Sequence, residues 1–384
     1  MPISRYLSSV RRAAVIALAA LPAVVAAGLA APSDSTKTQA KPPITQVHGA
    51  EPGGASTQSS RKFHPIPLPD SLGDDIHAAW RLRARVGKAY WPQWITHPPA
   101  PLVVRGNPFD FFILHPDPPS ATTAPKPIEG GGYYYVSLER LKATPERDTR
   151  IEEINRWWSV SYDLEGGRGS ATRPQIASML ADRDFMVFEM QTWRPQWAGL
   201  AQMDRVLLLR SNPDLRAWLD SEAVALRSAI LSDDAKLRST LARKAIRARG
   251  MADEIASHDM KLQGALDWYE AAVRSEGATR YVSLLLDEEA KNVVAGDTSY
   301  AMPTAGGDFA FRAKVWRTHL AHSKERDVTG LSLTTLREIG AMYCVLLDAS
   351  QPGWQADFFN PATRSVDLLS KVLAAGRNSK IFSG

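Results

Sequence analysis

Apolar positions fall three or four residues apart over much of the C-terminal half of this chain. From residue 212 to about 291 that spacing is nearly continuous, and it predicts a run of amphipathic helices with breaks near Ser232 and at His258. The longest of them covers about 259–291. Leu262, Leu266, Tyr269 and Val273 make one stripe that faces a core. An earlier helix is predicted over 176–191. It is opened by Thr172 with Gln175 three residues on, a capping-box start, and by Pro174 in the first turn. Further helices are predicted over 311–320, 331–347 and 365–375.

Before residue 165 the period changes. A short helix over 74–86 is followed by two β-rich runs, 102–105 and 109–114, separated by Gly106, Asn107 and Pro108, which predicts a hairpin. Gly130, Gly131 and Gly132 predict a turn before Tyr133–Val136. Ile154, Arg156, Trp158, Val160 and Tyr162 alternate with polar or second-face residues. Period two there argues for a half-buried strand, with a helix over 147–156 as the alternative. The fold class expected is therefore α+β: a small β-containing N-terminal portion over 63–165, then a mainly helical domain over 166–384. The aromatic pairs of the β portion read as core.

The first 62 residues look different again. Arg5, Arg11 and Arg12 precede an alanine-rich apolar run over 13–31, with small residues suited to cleavage after Ala27 or Ala30. Residues 1–31 thus read as a signal peptide for export to the periplasm or outside the cell. The alternative is an uncleaved anchor, the one way this sequence implies a membrane. Residues 32–62 are rich in Ser, Thr, Pro, Gly and Gln and read as a disordered linker.

Export changes the charge argument. The whole chain carries +5, and losing a leader with three Arg and no acid leaves +2, too little to argue for nucleic acid. Cys344 is the only cysteine, so there is no internal disulfide framework and no thiolate metal cluster; it reads as core. Arg238, Arg243, Lys244, Arg247 and Arg249 form a basic stretch, read as a solvated face ahead of a phosphate or lipid patch. His319 and His322 stand at i and i+3 and read as surface residues, with contact to a metal as the alternative. No G-x-S-x-G elbow is present.

One stretch carries a resemblance. Glu276, Gly277, Ala278, Thr279, Arg280 and Tyr281 resemble the E-G-x-A-x-Y signature of secreted proteins similar to gluzincin metallopeptidases. The Leu114-His115-Pro116 region and the Leu346-Leu347-Asp348 to Trp354 ending resemble the same family, in the same order. The resemblance implies a Glu, here Glu276, as third zinc ligand behind an H-E-x-x-H helix, with Tyr281 near the reacting carbonyl.

At that earlier helix the pattern breaks. Aligned through Leu180, Phe185 and Phe188, Asp182 stands for the first His, Arg183 for the Glu, Met186 for the second His and Glu189 for a Gln. A thioether is a poor zinc ligand, and a guanidinium stays protonated and serves as no base. The resemblance then implies a degenerate member that needs no cofactor. It would act as a structural protein, or bind a peptide or envelope partner.

Asp182 and Glu189, seven apart, share one helical face. If Glu276 meets them, either Arg183 or Arg280 neutralises the group, or Asp182, Glu189 and Glu276 hold a hard divalent cation in a non-standard hydrolase. An unrelated helical fold is the third reading.

Overall fold

Leu72, Ile76, Ala79, Leu82, Val86 and Tyr90 recur at helical spacing, and all are buried along one face of α1 (Asp70–Tyr90). The helix runs beyond the predicted 74–86 at both ends. In this computed structural model the described residues are 67–106, 109–137, 151–164, 171–197, 203–294, 314–316, 318–319, 330–348, 353–360 and 362–375. All fall within the unit His64–Gly384. The expected signal peptide and linker lie outside them. No helix among the described residues is long and apolar enough to cross a membrane.

After a short helix α2 (Pro92–Thr96) come six strands: β1 (Leu102–Arg105), β2 (Phe111–Ile113), β3 (Lys126–Pro127), β4 (Tyr133–Val136), β5 (Ile151–Ile154) and β6 (Trp157–Asp163). They form one sheet in the order β3-β4-β2-β1-β6-β5. The expected β1–β2 hairpin is there, with Leu102 opposite Ile113. So is the glycine turn before β4, where Gly130, Gly131 and Gly132 all take positive φ. β1 and β6 run parallel, and every other pairing is antiparallel.

The period-two reading of 154–162 needs correcting. Asn155 (φ 47°) and Arg156 (φ 70°) form a two-residue turn that ends β5 and starts β6, so the alternation spans two strands. Positive φ at both central residues is the type I′ arrangement that suits the twist of a hairpin. Residues 151–156 are strand and turn, not helix. In β6, Ser159 and Ser161 are buried along with Val160 and Tyr162, so both faces are covered rather than one.

The described residues after 170 are mainly helical: α3 (Arg173–Trp197), α4 (Met203–Ser211), α5 (Pro213–Leu231), α6 (Ala235–Ser257), α7 (Met260–Val294), α8 (Leu333–Asp348), α9 (Trp354–Phe358) and α10 (Ser365–Ala375). The α+β class expected from the sequence is the one observed. Start signals hold at named residues. The Thr172 amide donates to Gln175 Oε1 at 2.7 Å ahead of α3. Asn212 accepts from the Leu215 amide ahead of α5, and Asp234 accepts from the Lys236 and Leu237 amides ahead of α6. The predicted breaks near 232 and at 258 are the α5–α6 and α6–α7 junctions.

Two apolar cores result. One joins the sheet to α1 and α3 through Leu72, Ile76, Val104, Ile113, Val160 and Leu180. The other joins the helices and takes in Leu82, Trp91, Phe185, Phe188, Tyr281 and the 342–347 run of α8, Cys344 included. α1 and α3 feed both, so these two helices fix the sheet relative to the helical layers.

Candidate functional site

The face of α3 that carries Asp182, Met186 and Glu189 turns toward α7. Glu189 is fully buried, and its Oε2 accepts a hydrogen bond from the Thr279 hydroxyl at 2.5 Å. Thr279 fills the place the E-G-x-A-x-Y signature gives to Ala, so the hydroxyl that holds Glu189 is a departure from that signature. Burial pushes the Glu189 carboxyl well above its ordinary value. The Thr279 bond opposes that, the charges of Glu276 and Asp182 add to it, and Arg337 opposes it. Asp182 and Glu276 are thus each within electrostatic reach of Glu189.

Arg337, on α8, lies beside Glu276, with Nε 3.4 Å from Oε2 and both side chains about one-third exposed. Arg280 turns the other way, onto Glu338 at 3.1 Å and His319 at 2.8 Å. Arg183 donates to the backbone carbonyl of Ser161 on β6. Arg280, four residues beyond Glu276 on the same helix, is spaced to reach it, but Glu338 and His319 engage its guanidinium instead, while α8 crosses α7 near Glu276 and brings Arg337 beside it.

That crossing is tight. A Cβ on Gly277 would stand 2.3 Å from the Gly340 Cα, so the small residue beside Glu276 does admit a neighbouring helix. Among the described residues, no group of three His, Cys, Asp or Glu side chains is placed to hold a metal ion. Asp182, Glu189 and Glu276 therefore do not close into such a set. Tyr281 is wholly buried, and its hydroxyl donates to Asp348 Oδ2 at 2.7 Å. The Trp354 indole donates to the other oxygen of that carboxylate at 3.2 Å. It is a satisfied core hydroxyl that ties α7 to α8 and α9.

A cleft of about 510 Å3 lies elsewhere, between the start of α3, the second half of α7 and the helical residues 314–316 and 318–319. None of the three carboxylates lines it; Asp287, Glu288, Lys314 and His319 do. His319 is half-buried rather than a plain surface residue, with Nε2 3.3 Å from both oxygens of Glu338. Burial of Glu338 is outweighed by the His319 bond and the Arg280 charge, which hold its carboxyl below the ordinary value. His322 lies outside the described residues.

Two charged centres escaped the sequence reading. Asp184 accepts from the Arg83 guanidinium and the Trp94 indole, each at 2.7 Å, and from the Ala100 amide at 2.5 Å, pinning α1 and α2 to α3. Arg249, only 1% exposed, sits between Glu222 at 3.7 Å and Glu270 at 3.2 Å, with its guanidinium over the Tyr269 ring. Arg249 and Arg238 are buried, so the basic stretch is a solvated face only at Arg243, Lys244 and Arg247.

A usable signal was present in both cases: a charge standing on an apolar stripe. Asp184 falls four residues from both Leu180 and Phe188, and Glu222 falls between Leu219 and Leu226. Comparison with protein-family models, with curated proteins and with solved structures found no match to this chain.

Proposed function

We propose that this chain is an exported, metallopeptidase-like protein that has lost zinc-dependent hydrolysis and acts by binding a peptide or envelope partner. The observation that carries the reading is the state of α3 and α7 at the would-be zinc positions. Arg183, in the general-base position, is turned onto the Ser161 carbonyl, and Met186 replaces a ligand. Glu276, in the third-ligand position, lies beside Arg337, whose positive charge opposes that of a dication. Catalytic zinc needs three protein ligands and an open position, with a base to take the proton of the bound water.

The alternative, a hydrolase with a carboxylate metal site at Asp182, Glu189 and Glu276, has one observation in its favour. Glu189 Oε1 is buried with no hydrogen-bond partner among the described residues. The test is hydrolysis of an unstructured protein substrate by the purified chain, with and without added zinc, calcium or magnesium. No cleavage in any condition supports the binding reading. Cleavage that depends on a metal and is lost in Glu276→Ala refutes it.

A further inference from the structure

The turn between β5 and β6 carries a second feature. Arg156 holds φ at 70°, in the position of a type I′ turn where glycine is the usual residue, so the hairpin keeps a long side chain where backbone sterics favour none. Strain of this kind at an exposed position directs attention to what the side chain does. Trp157, the next residue, is 41% exposed, among the few large apolar side chains so open to solvent among the described residues.

The two residues border a concave site of about 510 Å3, lined by Asp117, Asn155, Arg156, Trp157, Trp158 and Gln191. That volume lies in the range of roughly 300–1,000 Å3 over which clefts hold small ligands. Asn155 Nδ2 donates to the Asp117 carbonyl at 3.0 Å, which ties the wall formed by the 115–119 loop to the turn. Gln191 closes the site from α3. The side chains of Asp117, Arg156 and Gln191 carry no hydrogen bond or salt bridge among the described residues.

The lining is selective about ligand chemistry. It holds no aliphatic side chain, and its apolar surface is indole, from Trp157 and Trp158. It offers instead the flat face of an indole and a carboxylate, a carboxamide and a guanidinium. Each of these presents two polar atoms side by side, the spacing that bridges adjacent hydroxyls. It sits at the turn end of the hairpin rather than along the outer side of β5, the last strand of the sheet order among the described residues. We propose that this cleft is a carbohydrate-binding site that takes neutral or N-acetylated sugar rings, with Trp157 as the stacking platform. The assignment stands apart from the loss of zinc chemistry, because its lining includes none of Asp182, Arg183, Met186, Glu189, Glu276 and Arg337, and either can fail without the other.

The experiment is calorimetric titration of the full chain with cellotetraose and with the tetramer of N-acetylglucosamine, alongside tryptophan fluorescence. Saturable binding of at least one is expected. Trp157→Ala should weaken it about tenfold, the scale of one lost aromatic contact. Arg156→Gly should weaken it several-fold with the circular dichroism spectrum unchanged, since glycine suits the turn. Gln191→Ala gives a third reading that leaves the hairpin intact. Absence of binding to both sugars, sugar binding unchanged in all three variants, or capture of a peptide through Trp157 in place of sugar would each overturn the assignment.

Discussion

Gly277 of α7 and Gly340 of α8 meet backbone to backbone: a Cβ on Gly340 would stand 1.7 Å from the Val273 carbonyl oxygen and 2.7 Å from the Gly277 Cα. The contact sets the distance between α7 and α8, and with it the placing of Arg337 beside Glu276. Backbone cannot yield as a flexible side chain does, so a methyl group at either position forces the helices apart. Gly277→Ala and Gly340→Ala should each destabilise the fold by about 1–3 kcal/mol or more, in spite of alanine's better helix propensity. Urea unfolding followed by circular dichroism measures this; a stabilising effect at either site would mean that the helices do not cross there.

Glu189 supplies a pH signature. Its folded carboxyl is held well above the ordinary value of 4.5, first by burial. The folded state therefore keeps a proton that the unfolded state gives up, so the contribution to stability is complete below about pH 4.5. It is lost as pH rises from there through the folded value. Glu189→Gln mimics the protonated carboxyl at every pH. The stability of the variant relative to the parent should rise between pH 4.5 and pH 8, and the other titrating groups cancel in the comparison. A difference that stays flat over that range would place Glu189 in contact with water or a fixed cation.

Arg249 is the centre of the second charged group. Burial raises the Glu222 carboxyl despite the cation beside it. At Glu270 burial acts the same way, but Arg249 and the Ser365 amide outweigh it and the carboxyl is lowered. Removing the cation leaves two carboxylates in the core, so Arg249→Leu should destabilise by about 3–5 kcal/mol. Thermal and urea unfolding check it. Arg243→Leu, on the exposed part of the same helix, is the control and should change stability by less than about 0.5 kcal/mol.

Where one residue's neighbours in sequence decide its structure, the chain was legible. Thr172 with Gln175, Asn212 and Asp234 mark helix starts, Gly130–Gly132 a turn, and the stripe of Leu262, Leu266, Tyr269 and Val273 a buried face. The type I′ turn was missed because Asn155-Arg156 lacks the glycine that signals it, and the alternation of apolar residues ran on unbroken across it. Partners of charges were missed for a different reason. Arg337 is 61 positions from Glu276, and Arg83 is 101 from Asp184, so only the packing of whole helices decides which cation meets which acid. The sequence reading expected Asp182, Glu189 and Glu276 to meet; the charges of Asp182 and Glu276 do act on Glu189, and Arg337 beside Glu276 was not foreseen.

Metal content of the purified chain, measured by mass spectrometry after equilibration with zinc, calcium and magnesium, tests the central account most directly. With Arg337 beside Glu276 and Glu189 held by Thr279, the prediction is less than about 0.1 equivalent of any metal, unchanged in Glu276→Ala. Close to one equivalent, lost in Glu276→Ala and in Glu189→Ala while the fold is retained, would contradict it and make the three carboxylates a working metal centre.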